Sequence, residues 1–184
     1  MISVLSLHYT YLSNVVSCHI LPIEWQIILF SDGSLTRHLE ILLGEFIYVK
    51  IQAKNLWRLN PLLEKFIYSQ IPYPRIKREI WLTTEKNVKV IYAISLWNNK
   101  ALYKHFKNRN IPLGKILIES ELDIHKQTYK IELIISSNLE KQFKRQGPFW
   151  SRSYFLIHSK NILAFVQEIF SPQILEYTNL YFHV

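Results

Sequence analysis

The chain contains one cysteine, one methionine and four glycines among 184 residues. A single thiol, Cys18, cannot close an internal disulfide, so a reducing setting is expected and the hydrophobic core has to hold the fold. Four glycines leave no Gly-rich loop of the kind that cradles phosphates. The seven histidines are spread without the paired spacing of a zinc site, so no metal is expected. No apolar run approaches the roughly 20 residues needed to span a bilayer. Nor is there a block of five or six like charges, which would mark a nucleic-acid-binding or disordered tail. Before Glu24 the chain has no charged side chain other than histidines. It therefore lacks the basic start of a secretory signal and the Arg-rich pattern of a transit peptide. That segment is read as part of the fold, as a loose leading stretch.

Hydrophobic residues make up 49% of the chain, enough at this length for one buried core, so residues 1–184 are read as one domain. Lysine and arginine number 22 against 14 acidic residues, a formal charge of +8. Such an excess favours anionic partners, whether nucleic acid, membrane surface or small polyanion. The basic residues are scattered, however, as on an ordinary solvated surface. The many Tyr and Phe fall at core-like alternating positions and no RNA-binding signature is present, so a nucleic-acid partner is not expected.

Local patterns point to an α+β domain. In "SDGSLTRHLEILLGEF" Ser34 is placed to cap a helix, Leu35, Leu39 and Leu42 recur at helical spacing, and Gly44 suits the C-terminal cap. A strand over Phe46–Ile51 follows. A short helix is expected from about Pro61, ended by Pro72 and Pro74. Then comes a hairpin, with one strand around residues 76–83, a turn at Lys86–Asn87 and a second strand over Val88–Trp97. Further strands are read at residues 116–122, 129–135, 152–158 and 162–170, the last two joined at Ser159-Lys160-Asn161. The polar, basic "LEKQFKRQGPFW" between them reads as a mobile connection. The expected architecture is a mostly antiparallel sheet of about six strands with two or three helices on one face.

Two charges stand where alternation demands apolar residues. In "IKREIWL" Arg78 shares a face with Ile76, Ile80 and Leu82. In "NILAFVQEIF" Glu168 shares a face with Ile162, Ala164, Val166 and Phe170. A guanidinium or carboxylate withdrawn from water needs a partner. Two readings follow: Arg78 and Glu168 form a buried ion pair with no ligand, or they line a dry pocket that holds an anion and supplies an acid.

"SDGSLTRHLE", "KREIWL", "IPLG" and "WSRSYFLIHSKNILAFVQEIFSP" occur in that order over about Leu21–Pro172. This order resembles the chorismate lyase (chorismate pyruvate-lyase) family, and most closely its relatives encoded in algal plastids and cyanobacteria. The resemblance implies an antiparallel sheet with helices and flap-like loops over an enclosed pocket, the stretch around Lys141–Phe149 being one such flap. It implies that Arg78 grips a carboxylate and that Glu168 is the catalytic acid. It places the backbone of Leu113 and Gly114, and the side chain of Leu35, in the substrate pocket. It implies conversion of chorismate, a small dianion, to 4-hydroxybenzoate and pyruvate with no cofactor, by a monomer. A plastid location and a role in quinone-ring supply go with it, and the AT-rich style of composition agrees. One departure stands out. The family's Arg-Asp pair before the strand at Tyr129 is replaced by "HKQTYK", where Lys126 or Lys130 is the available substitute. The effector-sensing domains of bacterial transcription regulators share the implied fold, so a ligand sensor is the alternative to an enzyme.

Overall fold

The computed structural model describes residues 2–7, 21–56, 65–100 and 123–176. In chain order these form β1 (Ile2–Leu7), α1 (Ile23–Phe30), α2 (Leu35–Leu43), β2 (Tyr48–Leu56), α3 (Lys65–Gln70), β3 (Arg75–Thr83) and β4 (Lys89–Asn98). There follow β5 (Ile124–Ser136), α4 (Ser137–Phe143), β6 (Phe149–His158) and β7 (Asn161–Phe170). The strands join one sheet in the order β1-β5-β6-β7-β4-β3-β2, and every described pairing is antiparallel. The leading segment is more than a loose stretch: β1 pairs with β5 from Ile2–Ser136 to Leu7–Ile131 and forms one edge. The expected strand at residues 116–122 and the start of the helix at Pro61 lie outside the described residues.

The helix at residues 35–43 forms as its ends dictate. Ser34 Oγ accepts the backbone N–H of Arg37 at 3.4 Å, and Gly44 closes the last turn at φ 66°, a conformation that strains any residue with a Cβ. Leu35, Leu39 and Leu43 fall on one side and are buried. They pack with Trp25, Ile28 and Leu29 of α1 against Leu82, Ile91, Ala93, Ile131 and Phe170. This is the front face of the sheet. Removing a side chain such as Leu39 from water contributes about 1.5–3 kcal/mol. Farther along the same face Ile76, Trp97, Tyr154, Leu156, Ala164 and Val166 cluster.

The back face is covered by α3 and α4 through separate clusters around Phe155–Phe165 and Trp81–Phe149. Helix α4 corrects the expectation of a mobile connection or flap near residue 141. Ser136 Oγ accepts the Leu139 N–H at 3.4 Å, and Leu139 and Phe143, one turn apart, are buried against the sheet. Glu140 then accepts the Gly147 N–H at 3.0 Å and folds the following chain back onto the helix. The polar residues that suggested mobility form the exposed side of an anchored helix.

Candidate functional site

Glu168 lies near the middle of β7, opposite Ala93 of β4 and Arg152 of β6. Its side chain is on the front face and is 6% exposed. Arg152 donates from Nε and Nη2 to Glu168 Oε2, at 3.1 and 2.8 Å. Tyr154, two residues along the same strand and so on the same face, donates its hydroxyl to Oε1 at 2.8 Å. Both carboxylate oxygens thus accept hydrogen bonds from protein groups. The remaining guanidinium nitrogen of Arg152 reaches the end of α1, donating to the carbonyls of Ser31 at 2.9 Å and Leu29 at 3.4 Å. A cation there satisfies carbonyls that have no partner within the helix.

These contacts set the protonation of the group. Burial works against the charge of Arg152, but Glu168 and Tyr154 outweigh it and raise the guanidinium pKa above its ordinary value. Burial, reinforced by the charge of Glu168, pushes the Tyr154 phenol well upward, so the phenol stays a donor. Breaking one partner of such a buried pair costs about 3–5 kcal/mol, because the other charge is left without compensation.

Arg78 is buried on β3 on the same face. Its strand neighbour there, Ile80, begins the cross-sheet row Ile80–Ala93–Glu168–Arg152–Ile131. Arg78 begins the adjacent row, Arg78–Ser95–Val166–Tyr154–Thr128. Two strand spacings, about 10 Å, separate Arg78 from the strand of Glu168. The ion-pair partner of Glu168 is therefore Arg152, and the reading of an Arg78–Glu168 pair is overturned. Burial lowers the pKa of Arg78 from its ordinary value.

The stretch "HKQTYK" is divided between the two faces. A bulge between Thr128 and Lys130 shifts the register of β5 by one residue. Lys126, opposite Leu156, lies on the front, whereas Lys130, opposite Ser153, lies on the back and pairs with Glu132 at 2.8 Å. The Lys126 ammonium donates to the Gly33 carbonyl at 2.7 Å and sits 5.4 Å from the Tyr154 ring centre. It and Arg152 together fasten the Ser31–Gly33 turn to the sheet. Gly33 fits there for want of a side chain, since a Cβ would lie 2.8 Å from His38 Cε1. His38 contacts Ser31 Oγ through Nδ1 at 3.2 Å. Burial, then Lys126 and Arg152, lower its pKa.

Leu35, 8% exposed, opens α2 and packs into the front core. Leu113 and Gly114 lie outside the described residues. A shallow cavity of about 340 Å³ between Arg37, Glu40, Phe46 and Glu85 contains none of the predicted site residues. Among the described residues no helix is long and apolar enough to cross a membrane. Arg152 and Tyr154 were not singled out in the sequence. A signal existed, since a strand beginning at Phe149 puts Arg152 on the face of Tyr154 and Leu156.

The model of the family described as "Chorismate pyruvate-lyase Rv2949c-like" matches residues 29–178. The chain is 37% identical over 161 residues to "Uncharacterized protein ycf21" of Porphyra purpurea, covering 83% of each chain. It is 33% identical to the protein of the same name from Cyanophora paradoxa, covering 80% of this chain and 77% of that one. Among solved structures, the effector domain of PhnF from Mycobacterium smegmatis superposes with a TM-score of 0.58 at 12% identity, covering 79% of this chain and 92% of that one. The C-terminal domain of the histidine utilization repressor from Pseudomonas syringae gives 0.53 at 8% identity, with 69% and 92% covered. At these identities the two structures establish a shared fold. The family match and the relatives establish more, and the chain belongs to the Rv2949c-like chorismate pyruvate-lyase family.

Proposed function

We propose that the protein cleaves chorismate to 4-hydroxybenzoate and pyruvate, with Arg78 as the carboxylate grip and Glu168 as the proton-transfer group. One observation carries this reading: a carboxylate held from both sides by Arg152 and Tyr154 shares a face with a second buried guanidinium that is not its partner. A buried Arg can hold a ligand carboxylate through two parallel N–H donors. Glu168, whose two oxygens accept hydrogen bonds from Arg152 and Tyr154, is held in place for the proton transfer. It takes the ring proton as the C–O bond to the enolpyruvyl group breaks, and that proton ends on the methyl group of pyruvate. Aromatisation of the ring drives the step, so positioning and one proton transfer are what the protein supplies. No cofactor enters this scheme. The backbone of Leu113 and Gly114 and the side chain of Leu35 are assigned to the pocket on the family resemblance.

A specific observation favours a second reading, a ligand-sensing domain without catalysis: the solved structures that share the fold are described as effector and ligand-binding domains of regulators. The ycf21 relatives support a plastid setting, where 4-hydroxybenzoate would supply a quinone ring.

The test is incubation of the purified protein with chorismate, followed by chromatography for 4-hydroxybenzoate and pyruvate. Product above the spontaneous background is expected, reduced by a factor of about 100 or more in Glu168→Gln. Wild-type turnover retained in that variant would remove Glu168 from the mechanism. Tight binding of 4-hydroxybenzoate without turnover in the wild type would decide for the sensor.

A further inference from the structure

The proposed grip on Arg78 accounts for one carboxylate of a dianion, and the front face holds another cation whose position calls for an anion. Lys126 is half-buried. Among the described residues its ammonium has one hydrogen-bond acceptor, the neutral Gly33 carbonyl, and no carboxylate within ion-pair distance. An ammonium carries three donors, and a single carbonyl leaves it poorly compensated once water is removed. Its electrostatic surroundings are mixed. Glu168 and Asp32 favour its charge and Arg152 opposes it, while burial, the largest influence, lowers its pKa. The bulge in β5 is what aims it forward, because with regular alternation Lys126 and Lys130 would share a face. Lys126 belongs to the cross-sheet row Ile76–Trp97–Ala164–Leu156–Lys126, beside the row of Arg78. Arg78 and Lys126 therefore flank the Glu168 strand from opposite sides, two strands away on each.

We propose that Lys126 is the specificity-determining grip for the second carboxylate of an aromatic or pre-aromatic ether dicarboxylate, whose ring carboxylate is held by Arg78. The incoming carboxylate replaces or joins the Gly33 carbonyl at the ammonium. A monocarboxylate product lacks that group and makes no use of Lys126. The site thereby distinguishes substrate from product by one ionic contact on the side of the molecule that departs. This inference rests on the lyase reading of the site, and deepens it by assigning the residue that reads the ether side chain.

The test compares two unreactive ligands by calorimetric titration of the full chain: meta-(carboxymethoxy)benzoate, which has the second carboxylate, and meta-methoxybenzoate, which lacks it. Lys126→Met should weaken the dicarboxylate tenfold or more and change the monocarboxylate less than twofold. Lys126→Arg should retain most of the dicarboxylate affinity. Equal losses for both ligands, or no loss for either, would overturn the role of Lys126 while leaving the lyase reading standing. Absence of binding of both ligands to the wild type would instead count against the lyase reading itself, and this assignment with it. Should Lys126→Met fail to fold, as judged by circular dichroism, Lys126→Gln gives the same comparison with a side chain that can still donate to Gly33.

Discussion

The two faces of the sheet treat buried charge differently. On the back, on the strands next to the two edges of the sheet, cations find carboxylates two residues away on the same strand: Lys77 with Glu79, and Lys130 with Glu132. These pairs are local. On the front Arg78, Lys126 and Arg152 surround one strand carboxylate, Glu168, and that carboxylate is taken by Arg152 across strands. Local pairing serves solubility and strand register. The cross-strand group joins β6, β7 and the end of α1.

Breaking the front group should produce the largest effect. Arg152→Leu leaves Glu168 buried without its cation and the α1 carbonyls without a donor, so stability should fall by about 3–5 kcal/mol in urea unfolding. Combining it with Glu168→Leu should restore much of that loss and none of the turnover, because a well-packed apolar pair replaces a buried ion pair at little cost. A double variant no more stable than the single one would show that Arg152 acts mainly through the α1 end.

The contrast between the faces is sharpened by Lys130→Met, the back-face counterpart of Lys126→Met. It should leave affinity for both ether ligands within a factor of two, as titration would show. A loss matching that of Lys126→Met would mean that overall charge, and not the front position, governs binding.

The smallest effect concerns pH. The folded protein holds the His38 pKa below its ordinary value of 6.5, so the unfolded chain binds the proton more readily. Stability is then fully present above pH 6.5 and declines as pH falls through the folded value. Thermal melts across this range should show that decline, and His38→Asn should flatten it. A slope unchanged in the variant would assign the decline to other groups.

The signals legible in the sequence were those carried by short-range rules. Ser34 and Gly44 bounded α2 because capping depends on neighbours in the chain. Arg78 and Glu168 stood out because strand alternation is local, and the structure puts both on the same front face. Which partner each one takes depends on register across strands: the turn at Ser159-Lys160-Asn161 announced that β6 lies beside β7, but alternation within each strand does not say that Arg152 stands opposite Glu168. Of the two readings of Arg78 and Glu168, the ion pair alone falls, because Glu168 takes Arg152. Helix α4 was misjudged for a different reason: five of its seven residues are polar and two are buried, and composition weighs the five. The strand β1 declares itself only through its pairing with β5, more than 120 residues on.

The bulge at residue 129 acts as a change of parity in β5. Everything before it is counted odd-for-even relative to everything after it, so the strand takes up one extra residue while Lys126 and Ile131 both keep to the front. Deleting Tyr129 would therefore straighten the strand and leave the pairs Thr128–Tyr154 and Lys130–Ser153 in register. A deletion in the regular part, of Leu133 for example, would change composition as little and would turn one half of the strand inside out.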